Sequence, residues 1–257
     1  LDNEELDKAL QMVVQVDKRL VPTYTGLLLI GKAERLKALM PTAETAIQVL
    51  EGTDIRVNES FFLSILAAFE KITEYVAAWN HEEEMEEGLF RISVPDFDKR
   101  AFREALVNAF CHRDYSMLGR VRVEINSEGM LISNPGGFIE GINADNLLDA
   151  EPHGRNPVLA DALKRIGLAE RTGRGIDRIY EGSLLYGRLL PDYSRSTSTS
   201  VRLFIPRGMP DRAFVRMISE EQQRLGHPLP IYALLVLNTL KQMHQAALRE
   251  IAEALKR

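Results

Sequence analysis

The chain has 257 residues, of which 45% are hydrophobic and 27% are charged, and its formal net charge is −5 at pH 7. These values are ordinary for a globular protein with a buried core, and they exclude a surface that is basic throughout. No run of about 18 apolar residues is present, so we expect no membrane contact. The single cysteine, Cys111, excludes an internal disulfide framework and favours a cytoplasmic location.

The first part of the chain is predicted to be an α/β segment. Apolar residues at helical spacing predict a helix over residues 3–20, and the apolar run Thr25–Ile30 predicts a buried strand. Two further strands, joined by a tight turn, are predicted at residues 46–50 and 54–57. Because the chain begins with Leu1 rather than Met, we expect it to continue a longer polypeptide.

The rest of the chain alternates predicted helices and strands. An amphipathic helix is predicted from about residue 60 to residue 79, and the glutamate-rich stretch 82–87 is interpreted as a solvated linker or helix end. A strand is predicted at residues 90–94 and a helix at residues 99–112. The later predicted elements are a strand hairpin (120–125 and 130–133), a loop region (134–156), a helix (157–166) with Asn156 as its N-cap, a helix from Gly173 to about residue 185, a strand (200–205) and a helical end (211–257).

One apparent phosphate-binding loop is rejected. The segment Gly26–Lys32 fits the pattern G-x-x-x-x-G-K. However, Ala33 stands where a Ser or Thr hydroxyl would hold Mg²⁺, and the four residues between the glycines are bulky aliphatics. We therefore expect no P-loop here, and this argues against a helicase motor.

The predicted helix at 99–112 carries a pair of polar residues that is more informative about function. Glu104 and Asn108 stand at positions i and i+4, so both side chains project from one helix face about 5–6 Å apart. An amide oxygen is a suitable Mg²⁺ ligand, and a carboxylate can accept a proton from an attacking water. Taken alone, the spacing is common on solvated helix faces.

Motifs further along the chain occur in an order that resembles the GHKL ATPases, the group that includes gyrase and histidine-kinase relatives. Arg103–Ala109 is similar to their N-box, Asn134–Gly137 stands where their first glycine box falls, and Thr172–Ile176 is similar to their second glycine box. With His112–Tyr115 and Arg155–Pro157, the set looks like a bacterial branch of transcriptional regulators and RecG-related ATP-dependent helicase-like proteins. In that branch a Schlafen-like (AlbA-type, "divergent AAA") domain precedes the GHKL-like domain, and a winged helix follows.

The resemblance implies a site for ATP and Mg²⁺. Glu104 is the implied catalytic general base, and Asn108 is the implied Mg²⁺ ligand. Asn134 stands where the wider group uses an Asp that accepts a hydrogen bond from the adenine amino group. The glycines after it would let the backbone approach the base. The implied cofactor-binding residues are Asn134, Gly136, Gly137, Gly173 and Gly175.

Several features leave alternatives open. An Asn at position 134 both donates and accepts, so the preference for adenine is undecided, and Pro135 stiffens a loop that is glycine-rich in active ATPases. Arg171 and Arg174 are interpreted either as phosphate-binding charges or as exposed loop arginines. His112 and Asp114 are interpreted either as residues near the phosphates of the nucleotide or as residues that cap the end of the helix.

These observations predict an α+β fold in three parts. Residues 1–90 are expected to be an α/β segment that continues from a Schlafen-like domain, and residues 91–207 a GHKL-like (Bergerat) two-layer sandwich. Residues 208–257 are expected to be helical, as a truncated winged helix that lacks its recognition helix and therefore binds DNA poorly.

The expected function is that of an ATP- and Mg²⁺-binding regulatory module in a DNA-associated transcriptional regulator, with weak ATP hydrolysis left open. The alternative is a non-catalytic scaffold for interaction or dimerisation, with a degenerate nucleotide pocket. The expected partners are a nucleotide, DNA through a complete winged helix, and a second copy of the chain in a homodimer.

Overall fold

The structure, a computed structural model, describes residues 2–87, 90–151, 153–170, 173–243 and 245–254. In chain order its elements are α1 (Asn3–Ala9), β1 (Val13–Val16), β2 (Arg19–Pro22), α2 (Tyr24–Ile30), α3 (Ala33–Leu39), β3 (Thr45–Glu51), β4 (Asp54–Phe61), α4 (Ile65–Trp79), β5 (Glu82–Glu87), β6 (Phe90–Pro95), α5 (Lys99–His112), β7 (Val121–Ile125), β8 (Gly129–Pro135), α6 (Pro157–Arg165), α7 (Gly175–Leu184), β9 (Ser200–Pro206), α8 (Arg212–Leu225), α9 (Ile231–Met243) and α10 (Leu248–Ala254). This mixture of helices and strands confirms the predicted α+β class.

A five-stranded mixed sheet in the order β4-β3-β7-β8-β9 forms the centre of the fold. Strand β3 pairs antiparallel with β4 and parallel with β7, and the pairs β7-β8 and β8-β9 are antiparallel. The register aligns four buried side chains across neighbouring strands, namely Ile47, Val123, Ile132 and Leu203. Helix α5 packs against β8 and helix α4 against β3, so these apolar rows form the sheet side of the core.

The predicted helix over residues 3–20 is wrong beyond residue 9. Asp2 and Glu5 form a capping box that starts α1, but the chain then enters the antiparallel hairpin of β1 and β2. The hairpin turns at Asp17 and Lys18, whose φ angles of 45° and 63° are those of a tight two-residue turn. The valines that completed the helical pattern favour extended backbone because they are β-branched.

The predicted strand at Thr25–Ile30 is also wrong, because this run is helix α2. The Thr23 hydroxyl caps the helix by accepting a hydrogen bond from the Gly26 N–H at 3.1 Å. A short apolar run has no periodicity that distinguishes a buried strand from a short helix. The helical backbone agrees with the rejection of a P-loop at Gly26–Lys32.

The glutamate-rich stretch was predicted to be a linker or helix end, and that prediction is wrong too. It forms strand β5, which pairs antiparallel with β6. The Glu82 carboxylate accepts a hydrogen bond from the Ser93 hydroxyl at 2.6 Å and lies 2.9 Å from Lys99 Nζ. Cross-strand partners of this kind stabilise a charged strand in a two-stranded ribbon.

The helix predicted from about residue 60 begins only at Ile65, because residues 60–61 still belong to strand β4, and the other predicted elements are present. Helix α5 spans the predicted residues, the hairpin of β7 and β8 forms, and the described residues after 211 form the helices α8, α9 and α10 with loops between them. None of the helices in the described part of the chain is long and apolar enough to span a membrane. Strands β3 and β4 share the sheet with β7, β8 and β9, while the division of the chain at residues 90 and 207, the GHKL-like detail and the winged helix stay predictions.

Candidate nucleotide-binding cleft

Helix α5 is fixed at both ends by side chains. The Asp98 side chain starts the helix by accepting from the N–H groups of Arg100 and Ala101, each at 2.9 Å. At the other end, Asn156 Nδ2 donates to the carbonyls of Cys111 and Arg113, each at 2.8 Å. Carbonyls at a helix end lack partners within the helix, so these bonds hold the end of α5 in place.

The role of Asn156 differs from the predicted one. It occupies the N-cap position of α6, but its side chain makes no capping hydrogen bond there. Its neighbour Arg155 donates to the carbonyls of His112 at 3.2 Å and Gly137 at 3.0 Å. Arg155 also lies 3.5 Å from the Asp114 carboxylate. The motif at 155–157 therefore ties the end of α5 to the end of β8.

Glu104 is not on a solvated face, because it is only 6% exposed. Burial raises the pKa of its carboxyl group above the ordinary value, while a hydrogen bond from the Glu170 backbone opposes the rise. Arg103, next to it on α5, donates from Nε to the Leu168 carbonyl at 3.1 Å and holds the segment that leads to Glu170. Asn108 is half-buried one turn further along the helix.

Helix α7 approaches this pair closely. A Cβ placed on Gly175 would lie 3.2 Å from Glu104 Oε2 and 3.8 Å from Asn108 Nδ2. Two turns later, a Cβ on Gly182 would lie 2.5 Å from Ala101 Cβ, which no real side chain tolerates. Residues seven apart lie on nearly the same helix face, so the two glycines let α7 lie against α5. This places the N-terminus of α7 beside Glu104 and Asn108.

Asn134 lies at the other end of the site, near the end of β8. It is 4% exposed, and its Nδ2 donates to the Pro135 carbonyl at 3.0 Å. In the sheet register it pairs with Val201, one step beyond the pair of Ile132 and Leu203. The buried row of the sheet therefore continues into Asn134.

Gly136 and Gly137 lie in close contact with neighbouring backbone. Gly136 has φ +91°, its N–H donates to the Thr199 carbonyl at 2.8 Å, and a Cβ would lie 2.8 Å from Asp114 Cβ. A Cβ on Gly137 would lie 2.5 Å from the Ser198 carbonyl oxygen. Both glycines are thus required by their packing within the protein.

One open cleft brings most of the predicted residues together. Its walls are α5, the start of α7, the end of β8 and the loop after β8. Among the predicted site residues, the cleft is lined by Glu104, Asn108, Asn134, Gly137, Gly173 and Gly175. Gly136 lies behind this wall, while Arg171 and Thr172 lie outside the described residues.

The cleft has an apolar part and a polar part. Around Asn134 the lining is apolar and aromatic, and it includes Ile132, Phe138, Tyr193, Val201 and Leu203. The polar side chains of the lining include the Glu104 and Asn108 pair, Glu170, Lys164 and His112. Such a division suits a ligand with a flat apolar moiety at one end and charged groups at the other.

Three neighbouring groups have shifted pKa values because of their surroundings. Burial lowers the pKa of His112, and the charge of Arg155 adds to this effect, so the neutral imidazole is favoured. Burial raises the pKa of Cys111 to about 12, so this thiol stays protonated and acts as a small core residue. In contrast, hydrogen bonds from Ser116 lower the pKa of Asp114.

The described residues contain no group of three or more His, Cys, Asp and Glu side chains that could hold a metal ion by themselves. Mg²⁺ often binds through one or two protein oxygens together with substrate phosphates and waters. The Asn108 amide oxygen therefore fits a magnesium ion that enters with a phosphate ligand.

Comparisons with known proteins found one family model and a similar solved structure. Residues 119–205 match the family model described as "Putative ATP-dependent DNA helicase recG C-terminal". The match supports a relationship of this segment to RecG-related, ATPase-like domains. It contains Asn134 and the glycines of the cleft, and it begins after α5, so it leaves out Glu104 and Asn108.

The fold is similar to that of a solved structure, the DIP2311 protein from Corynebacterium diphtheriae. The two share 22% sequence identity with a TM-score of 0.80, and the similarity covers 100% of this chain and 51% of that one. The chain thus spans about half the length of this relative, and at this identity the likeness concerns the fold alone. No curated protein matches the chain.

Proposed function

We propose that the cleft binds Mg·ATP. The observation that carries this proposal is the position of Gly175, which packs the start of α7 against both Glu104 and Asn108. Residues separated by about 70 positions in sequence thus form one wall, and Asn134 lies at the far end of the same cleft. The family match of residues 119–205 supports an ATP-binding role.

The adenine base would occupy the apolar part, next to Asn134. One N–H of Asn134 Nδ2 is engaged with the Pro135 carbonyl, and the side-chain oxygen would be the group that faces the ligand. An acceptor at this point favours a base that carries an amino group, as adenine does. Asn134 would then act as the Asp of other ATPases does.

The phosphates would occupy the polar part. The N-terminus of α7, with Gly173 and Gly175 in front of Glu104 and Asn108, offers backbone N–H groups and the positive end of the helix dipole. Lys164 is the one Lys or Arg among the described residues that line the cleft, and it adds a positive charge. Mg²⁺ bound through the phosphates and Asn108 would neutralise part of the phosphate charge.

Glu104 would serve as the general base of a weak ATPase. A carboxylate whose pKa is raised by burial is a stronger base than an exposed one, which suits proton transfer from water. The same carboxylate accepts a hydrogen bond from the Glu170 backbone and lies against Gly175, so it has little freedom to reach a water molecule. We therefore propose that binding is the main activity and hydrolysis is slow.

The wider role would be that of a regulatory module in a cytoplasmic, DNA-associated transcriptional regulator that works as a homodimer. The helices α8, α9 and α10 support this proposal, since helical segments of this kind begin a winged helix. The printed description of the matching family names a DNA helicase, which also supports a link to DNA.

A second candidate is a non-catalytic scaffold. The packing of Gly136 and Gly137 against the 197–199 segment and Asp114 favours it, because these glycines are explained without a ligand. The buried, hydrogen-bonded Glu104 is likewise compatible with a structural role.

Calorimetric titration with Mg·ATP separates the two candidates. We expect the wild type to release or absorb heat with a Kd in the micromolar to low millimolar range, and Asn108→Ala to lose the dependence on Mg²⁺. Asn126→Ala, in the turn between β7 and β8, is the matched control for removal of an amide and should bind like the wild type. Absence of binding by the wild type at millimolar Mg·ATP would favour the scaffold.

A further inference from the structure

Helix α9 lies along α7 and contacts the cleft segment (residues 139–151). Its buried face consists of Ile231, Leu234, Leu235 and Asn238, and it packs on α7. Helix α9 has 13 residues and α7 has ten. A helix that lies along one wall of the cleft can respond to changes in that wall.

At the N-terminal end of α9, Tyr232 holds the cleft segment. Its hydroxyl donates to Asp149 Oδ1 at 2.9 Å, and the neighbouring residues Leu147 and Ala150 line the cleft. The hydrogen bond to Asp149 is the main reason that the pKa of Tyr232 is raised, and the carboxylate of Asp177 in the first turn of α7 contributes. Tyr232 thus lies next to both the cleft segment and the start of α7.

At the C-terminal end of α9, Lys241 holds the residues that follow α7. Its ammonium group donates to the Gly187 carbonyl at 2.6 Å and lies 3.1 Å from Asp211 Oδ2. It also lies 5.3 Å from the centre of the Phe214 ring. Polar contacts therefore fix α9 at both ends.

The centre of this interface contains a polar atom that costs stability. Asn238 is 2% exposed, and within the described part of the chain no hydrogen-bond donor reaches its Oδ1. A buried acceptor without a partner is unfavourable relative to the same atom in water. Release of α9 from α7 would return this oxygen to water. The docking of α9 is therefore weaker than the docking of a helix whose buried face is entirely apolar.

We propose that α9 is a regulatory helix whose docking orders the cleft segment for ligand binding. The proposal rests on the proposed function, because the ligand concerned is the nucleotide of that cleft. The docked helix holds Asp149, and thereby Leu147 and Ala150, in the position that forms the wall. By linkage, a ligand that contacts this wall stabilises the docked helix by the same factor by which docking tightens the ligand.

Hydrogen exchange of the whole chain tests the proposal without a ligand. Tyr232→Phe removes only an exposed hydroxyl, so it should fold normally and speed exchange in residues 139–151 as well as in α9. Asn238→Leu replaces the orphaned amide with an apolar group of similar shape and should slow exchange in both segments. Tyr24→Phe, at a tyrosine that is 72% exposed in α2, is the control and should change neither.

The same variants test whether the docking of α9 changes the affinity for the nucleotide. We expect Tyr232→Phe to raise the Kd of Mg·ATP about three- to tenfold, the change expected from one surface hydrogen bond. Unchanged exchange of residues 139–151 in Tyr232→Phe would overturn the proposal, whatever the ligand result. If the wild type bound no Mg·ATP while the exchange result held, the proposed function would fail and the coupling of α9 to the cleft would stand.

Discussion

Gly175 lies against Glu104 so closely that an added Cβ would be 3.2 Å from Glu104 Oε2. This contact joins α7 to α5 at the point where the carboxylate, the Asn108 amide and the helix N-terminus meet. It explains why a glycine stands at the first position of a helix, where its helix propensity is poor. The relationship leads to the first prediction.

Gly175→Ala should weaken Mg·ATP binding at least tenfold while changing the free energy of unfolding by no more than about 1 kcal/mol. The new methyl group pushes on the Glu104 carboxylate, whereas alanine itself favours the helix. Calorimetry and thermal unfolding measure the two effects. The control is Gly182→Ala, where the Cβ would lie 2.5 Å from Ala101 Cβ, and this overpacking should cost about 1–3 kcal/mol. Equal behaviour of the two variants would contradict the distinction.

Glu104→Gln should stabilise the protein at alkaline pH. Burial raises the pKa of Glu104 in the folded state above its value in the unfolded chain. The contribution of this carboxyl group to the stability of the fold is therefore fully present below the unfolded pKa, and it is lost as the pH rises through the folded pKa. A neutral Gln removes that loss, which is on the order of 1 kcal/mol for each pKa unit. Unfolding by urea at pH 4 and pH 8 measures the gain.

The exposed Glu128 provides the control for Glu104, because Glu128→Gln makes the same change at the surface and should unfold like the wild type. Glu104→Gln should also keep nucleotide binding and lose any hydrolysis of ATP. If the variant were less stable than the wild type at pH 8, the burial argument for Glu104 would be wrong.

Asn134→Leu should abolish discrimination between ATP and inosine triphosphate. If the wild-type side-chain oxygen faces the base as proposed, it would accept a hydrogen bond from the amino group of adenine and repel the oxygen that hypoxanthine carries there, so we expect the wild type to prefer ATP by at least about tenfold. Leucine keeps the shape and removes both effects. Competition binding with the two nucleotides gives the ratio, and an unchanged ratio in the variant would show that Asn134 does not contact the base.

Lys164→Met should weaken binding of ATP more than that of adenosine. The methionine keeps the length of the side chain but removes the charge that would face the phosphates. Titrations with ATP, ADP and adenosine should show a loss that grows with the number of phosphates. Arg165→Met is the matched control, since Arg165 pairs with Asp161 at 2.7 Å on the exposed face of the same helix. A uniform loss across the three ligands would place Lys164 away from the phosphates.

The sequence predicted those parts of the fold whose local signals agree with their surroundings. Helix α5 has a capping residue, Asp98, and a clear apolar face, so its bounds follow from the sequence. The hairpin of β7 and β8 has strict alternation and a turn. The hairpin of β1 and β2 was missed because its valines also fit a helical spacing, and its turn lacks the usual Asn-Gly or Asp-Gly pair.

The candidate site was predictable as a set of residues but not as a geometry. Motif order indicated Glu104, Asn108, Asn134 and the later glycines, and the structure brings most of them into one cleft. Contacts between residues far apart in the sequence could not be predicted from it. These include the bonds from Asn156 to the last carbonyls of α5 and the position of Lys164 in the cleft, since neither belongs to a local pattern.

The most direct test of the central claim is a crystal structure grown with Mg²⁺ and a non-hydrolysable ATP analogue at saturating concentration. We expect the base beside Asn134, the phosphates at Gly173 and Gly175, and Mg²⁺ within coordination distance of the Asn108 amide oxygen. An empty cleft at that concentration, or a nucleotide bound elsewhere on the protein, would contradict the central claim.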